Sequence, residues 1–145
     1  ALTDIFPQKK FLKDFSKDLA EKYKGVRHDS GDPKQWCREI IEHYKSFGID
    51  PKTKTAIFSD GLDIPLCIEL YNEFHEEINV IFGVGTNLTN DMGLGHKALQ
   101  IVMKVVEVDG RPVAKLSNNP SKSMCEDEVY SNWLRHAIEK DVCNG

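Results

Sequence analysis

Four short apolar segments recur along the chain, and each ends in an aspartate or a glycine turn before a stretch of helical periodicity. Leu2 and Thr3 lead into Asp4, and Val26-Arg27-His28 leads into Asp29. Thr55-Ala56-Ile57-Phe58 leads into Ser59-Asp60-Gly61, and residues 78–82 lead into Gly83-Val84-Gly85-Thr86-Asn87. The repeat unit is roughly 25–30 residues, too long for hairpins and the right length for crossover helices. A β-α-β-α-β-α-β order of this kind predicts an α/β fold with parallel strands, either an open sheet or part of a barrel.

The intervening segments carry the expected helical spacing. Phe11, Phe15, Leu19 and Tyr23 recur every four residues, which predicts one amphipathic helix running up to Gly25. Asp32 is placed to cap the next helix. Pro33 suits its first position, and Gln35 stands where a capping box has its second member. Trp36, Ile40, Tyr44 and Phe47 form the apolar stripe of that helix, and Gly48 ends it. Leu66, Leu70 and Phe74 mark a third.

Beyond residue 98 the pattern changes. Residues 99–108 read as a longer strand, Asp109-Gly110 as a type I′ hairpin turn, and residues 112–116 as the returning strand. Val129, Trp133, Ala137 and Ile138 predict a terminal helix. The expected organisation is one unit over 1–145, with βα units and ligand loops in 1–98 and a β-hairpin plus helix in 99–145. The opening Ala1-Leu2-Thr3-Asp4 reads as the end of a strand, so the expectation is a fragment or a processed product.

Composition narrows the function classes. With 19 basic and 23 acidic residues the net charge is −4, against a general nucleic-acid binder but not against a small anion held by local backbone amides. No apolar run is long enough to cross a bilayer, and no signal-peptide pattern opens the chain. Cys37, Cys67, Cys125 and Cys143 form no C-x-x-C pair, and Cys37 and Cys67 fall in apolar helical patterns, so a reducing cytoplasm is the expected compartment. Histidines 28, 43, 75, 96 and 136 lack metal-ligand spacing, and no protein-bound metal site is expected. Nucleophile-elbow, Walker A and dinucleotide-fingerprint motifs are missing from the sequence.

The strand ends carry the chemistry. Ligands of parallel α/β proteins bind where the carboxyl ends of the strands converge. Ser59-Asp60-Gly61 and the Gly83–Asn87 stretch sit on successive strands, and glycines let a backbone bring its N–H groups close to phosphate oxygens. Arg27 stands two residues before Asp29, on the same side of an extended segment. The pair forms either a structural ion pair or a divided site, with guanidinium to an anion and carboxylate to sugar hydroxyls. Asp29 alone could equally order the turn into the helix at Asp32.

Three motifs sharpen the reading: Arg27-His28-Asp29-Ser30-Gly31-Asp32-Pro33, then Phe58-Ser59-Asp60-Gly61-Leu62-Asp63, then the run from Phe82 to Asp91. Together with Ala1-Leu2-Thr3-Asp4 and the tail from Asp109 to Ser117, they resemble successive motifs of nicotinate phosphoribosyltransferases, in the same order. The resemblance covers nearly the whole chain and corresponds to about the last third of a typical family member. It implies part of an irregular (β/α) barrel, and an enzyme joining nicotinate to phosphoribosyl pyrophosphate with ATP hydrolysis in NAD biosynthesis. Magnesium would come with the pyrophosphate, and a homodimer is implied for the parent enzyme. By the same resemblance Arg27 and Asp29 are the catalytic positions: Asp29 binds the ribose hydroxyls and Arg27 lies near the pyridine ring or its carboxylate. Asp60, Gly61, Gly85 and Thr86 surround the 5′-phosphate. His28 and the Gly85-Thr86-Asn87 turn favour the nicotinate branch over the nicotinamide branch. The alternative expectation is a non-catalytic phosphate- or nucleotide-binding module.

Overall fold

The structure, a computed structural model, describes residues 1–89, 102–117 and 119–143. Three parallel strands, β1 (Gly25–His28), β2 (Thr55–Phe58) and β3 (Asn79–Phe82), lie in the order β1-β2-β3. Their register sets Arg27 opposite Ile57 and Ile57 opposite Ile81. The opening segment runs parallel along the free edge of β1: Leu2 bridges Arg27, Arg27 N–H donates to the Ala1 carbonyl at 2.8 Å, and Thr3 N–H donates to the Arg27 carbonyl at 3.2 Å. The expected strand-like reading of residues 1–4 is therefore realised as a short parallel pairing. This leaves Asp4, Asp29, Asp60 and the Gly83–Asn87 stretch at one end of one sheet.

Close packing of β1 on β2 depends on one glycine. A Cβ on Gly25 would lie 2.1 Å from the Thr55 carbonyl oxygen, so no other residue fits at that point. One sheet face is buried under α3 (Pro33–Ser46) and α4 (Ile64–Phe74). Val26, His28, Ala56 and Phe58 meet Trp36, Ile40, Tyr44, Leu70 and Phe74 there, all essentially without solvent exposure. Trp36 packs edge-on to Phe58 at 5.4 Å, and its indole N–H donates to Thr3 Oγ1 at 2.9 Å. The opposite face carries Arg27 and Ile81, both exposed among the described residues.

Helix starts follow their caps. The Asp32 carboxylate accepts from Gln35 N–H at 2.7 Å, and Asp63 accepts from Leu66 N–H at 2.8 Å. The capping box is one-sided, because the Gln35 amide donates to Glu39 one turn on rather than back to Asp32. The expected long first helix is two: α1 (Gln8–Asp14) and α2 (Lys17–Lys22). Phe15 closes α1 and is buried, stacked at 4.9 Å on Phe11, and Ser16 starts α2. At the break the Phe15 ring stands edge-on to Tyr44, with centroids 6.3 Å apart.

The second half departs further from expectation. The hairpin is only β4 (Glu107–Val108) and β5 (Arg111–Pro112), with Asp109 at φ 49 and Gly110 at φ 72 as a type I′ turn requires. Residues 102–106 are not strand, and residues 99–101 lie outside the described residues. The terminal helix α6 (Glu128–Cys143) buries Ile138, but Val129 and Trp133 are exposed, so its predicted stripe is not a core stripe. It docks on α1 through Asp141, which pairs with Lys10 at 2.7 Å and Lys13 at 3.2 Å. Between β3 and the hairpin lies α5 (Thr86–Thr89), a single turn. Cys37 and Cys67 are buried, as expected.

Candidate functional site

The strand ends form two clefts. The first, about 420 Å³, lies between the loops after β2 and β3 and is lined by Ser59, Asp60, Gly61, Gly83, Gly85 and Thr86, together with Leu62 and Asn87. Gly61 has φ +63, a left-handed conformation that turns the chain from β2 toward α4. Ser59 Oγ donates to the His28 carbonyl at 2.7 Å, which ties the β2 loop to the end of β1. The Asn87 amide donates to the Leu62 carbonyl at 2.9 Å, which ties the β3 loop to the β2 loop. A Cβ on Gly85 would meet nothing within 4 Å, and its φ is not left-handed. Nothing in the described residues requires glycine at position 85; what a side chain there would fill is the open cleft.

The second cleft, about 620 Å³, is lined by Asp29, Lys104, Lys115 and Lys122 among others. Its lysines are met by carboxylates from the strand ends. Lys115 Nζ reaches Asp4 at 2.5 Å and Asp29 at 3.4 Å. Lys122 Nζ pairs with the Asp60 carboxylate and donates to the Asp29 carbonyl at 2.5 Å. The segment returning from the hairpin thus lays two ammonium groups across three strand ends.

Beneath these lysines is a buried polar knot. Asp4 is 2% exposed, and its carboxylate accepts from Ser30 Oγ and, at 2.7 Å, from Ser117 Oγ. Burial pushes the Asp4 carboxyl up, but hydrogen bonds from Lys115, Ser30 and Ser117 outweigh it, and its pKa lies below the ordinary value. The Lys115 ammonium is opposed by desolvation and supported by Asp4 and Asp29, and its pKa is raised. Both groups are charged at neutral pH. His28 is buried between Trp36 and Phe58, with Nε2 3.2 Å from the Gly31 carbonyl. Since a carbonyl only accepts, Nε2 carries the proton, and burial holds the imidazole neutral with a lowered pKa.

The predicted site residues divide accordingly. Asp60, Gly61, Gly85 and Thr86 line the first cleft together, and Asp29 lines the second. Arg27 and Asp29 form no ion pair with each other among the described residues, because Arg27 belongs to the strand while Asp29 has turned into the loop to meet Lys115. Lys104, Lys115 and Lys122 carry no sequence signal that assigns them to a site. Lys115 and Ser117 stood inside a motif, and the only signal for Lys122 was a second lysine in a polar stretch.

Parallel strands, crossover helices and polar clefts at the carboxyl ends define an α/β protein whose clefts lie where ligands of this fold class bind. Comparison with known proteins makes the class specific. Residues 1–141 match the model of the nicotinate phosphoribosyltransferase (NAPRTase) family, and the chain belongs to that family. Nicotinate phosphoribosyltransferases from Photorhabdus laumondii and Cupriavidus necator are 52% and 53% identical to it, over 96% and 93% of this chain and 34% of each relative. A crystal structure of nicotinate phosphoribosyltransferase from Vibrio cholerae superposes with TM-score 0.90 at 45% identity, covering 96% of this chain and 34% of that one. One from Porphyromonas gingivalis superposes with TM-score 0.87 at 33% identity, over 95% and 37%. The chain spans about a third of the length of the relatives it matches.

Proposed function

We propose that the protein, at its full natural length, joins nicotinate to phosphoribosyl pyrophosphate, giving nicotinate mononucleotide and pyrophosphate with coupled ATP hydrolysis. The observation that supports this most is the meeting of an anion-accepting glycine cleft and a lysine-bridged aspartate at one end of a parallel sheet. In the reaction, the pyridine nitrogen forms a bond to ribose C1 as the bond from C1 to pyrophosphate breaks. The electron pair leaves with pyrophosphate, and positive charge develops on the sugar. Catalysis of this kind is chiefly positioning and charge stabilisation.

Within that reaction Asp29 accepts hydrogen bonds from the ribose hydroxyls, and its carboxylate favours the cationic sugar. Lys115, anchored on Asp4, holds that carboxylate in place. Gly61, Gly85 and Thr86 enclose the 5′-phosphate with backbone N–H groups and one hydroxyl. Arg27, exposed and without an ion pair among the described residues, is available to the nicotinate carboxylate. Among the described residues no group of three or more His, Cys, Asp or Glu could hold a metal ion. Magnesium would enter with the pyrophosphate, as its counterion. The proposed setting is the cytoplasm and the proposed assembly a homodimer of the full-length protein. Among the described residues no helix is long and apolar enough to cross a membrane.

The test is product formation by the full-length protein with nicotinate or nicotinamide, each with phosphoribosyl pyrophosphate, with and without ATP. Nicotinate mononucleotide should form and ATP should increase its yield. Asp29→Asn should lower turnover by about 10- to 100-fold, the loss of a charge-assisted hydrogen bond of about 1.5–3 kcal/mol. Preference for nicotinamide, or unaltered kinetics in Asp29→Asn, would remove the respective part of the proposal.

A further inference from the structure

The first cleft presents an electrostatic problem. Asp60 is the one charged residue among those that line it, and an ionised carboxylate repels a phosphate. A glycine cradle offers N–H donors but no cation of its own. A cation stands beside it: the Lys122 ammonium sits on the Asp60 carboxylate and on the Asp29 carbonyl. Lys122 lines the second cleft while Asp60 lines the first, so the pair stands on the boundary between them.

The backbone around Lys122 is held by contacts of its own, and its ammonium rests on the Asp60 carboxylate and the Asp29 carbonyl. The Lys122 carbonyl accepts from Lys104 Nζ at 2.7 Å, and the turn Pro120–Lys122 is closed by Lys122 N–H donating to the Asn119 carbonyl at 2.9 Å. The Lys122 side chain keeps 31% of its exposure, and its stem has four rotatable carbons. An ammonium on such a stem exchanges one oxyanion for another without moving the fold.

We propose that Lys122 is handed from Asp60 to the ligand's phosphate when an anion enters the first cleft, and that Asp60 is the counterion that parks this lysine in the empty site. The inference rests on reading the first cleft as a phosphate site. Asp60 is then a positioning residue that competes with the ligand, not a group that binds it. The two roles predict opposite signs for one substitution. As a parking counterion, Asp60 weakens anion binding, and Asp60→Asn tightens it. As a direct contact to the ligand, its loss weakens binding.

The experiment is calorimetric titration of the full-length protein, in magnesium-free buffer, with inorganic phosphate and with pyrophosphate. Asp60→Asn should bind both anions several-fold more tightly, and Lys122→Gln should bind them about tenfold or more weakly, the effect of one charge-assisted contact. The side-chain ammonium resonance of Lys122 should shift as phosphate is added, a readout that holds even where the glutamine variant folds poorly. Weaker or unchanged binding in Asp60→Asn, or a Lys122 resonance that ignores phosphate while the wild type binds it, overturns the handover and leaves the phosphate cleft standing. A wild type that binds neither anion overturns the cleft reading and the handover with it.

Discussion

Replacing Lys115 by Met should test how the polar knot under the site is held together. The substitution keeps most of the stem's volume and removes only the ammonium. It strands Asp4, 2% exposed, with two serine donors and no cation. Removing one member of a buried ion pair costs about 3–5 kcal/mol, because the remaining charge is left uncompensated. Two features pull the value down. Ser30 and Ser117 still donate to Asp4, and the Lys115 side chain is 18% exposed, so water can enter where the ammonium was. The expected loss is therefore near the lower end, about 3 kcal/mol. Urea denaturation of the full-length protein reads this as a lowered midpoint at unchanged slope. Asp4→Asn combined with Lys115→Met should recover part of the loss, since no buried charge is then left alone, giving a coupling of about 1–3 kcal/mol. A single-variant loss below about 1 kcal/mol, or a double variant equal to the sum of its parts, would mean that the pair is solvent-screened and does not hold the knot.

The remaining expectations are narrower. Gly25→Ala drives a Cβ into the Thr55 carbonyl oxygen at 2.1 Å, so β1 and β2 must part; soluble protein with an unchanged melting temperature would contradict the register. For pH, His28 is neutral in the folded state with its pKa below the ordinary 6.5, whereas the unfolded chain takes up a proton near that value. Stability from this group is complete above about 6.5 and is lost as pH falls toward the folded pKa. Melting temperatures should decline from neutral pH toward pH 5, and His28→Gln should flatten that slope. An equally steep slope in the variant would assign the acid sensitivity to other groups.

Much of the architecture was legible in the linear chain because it rests on local signals. The alternation of apolar segments and amphipathic stretches, the Asp32-Pro33 helix start, and the Asp109-Gly110 turn depend on neighbours in sequence. The strands, the Asp32 cap and the turn appear where the pattern puts them. Failures came where local and distant forces compete. The period of Phe11, Phe15, Leu19 and Tyr23 reads as one helix, yet the chain breaks at Phe15-Ser16, where Phe15 is buried beside Tyr44 while Leu19 and Tyr23 are exposed. The stripe on α6 reads as core, yet Val129 and Trp133 find nothing to cover them among the described residues.

The same division runs through the site. Sequence alone identified strand-end aspartates and glycine loops, since residue type and position on a βα unit decide which groups converge on the ligand face. It could not say which cations would meet them. Lys115 lies 86 residues from Asp29, and Lys122 lies 62 from Asp60. Such pairings follow from how the hairpin segment lies across the sheet, and no periodicity encodes that crossing. Charge pairing is a property of distance in space, and only the tertiary structure brings these carboxylates and ammonium groups within reach.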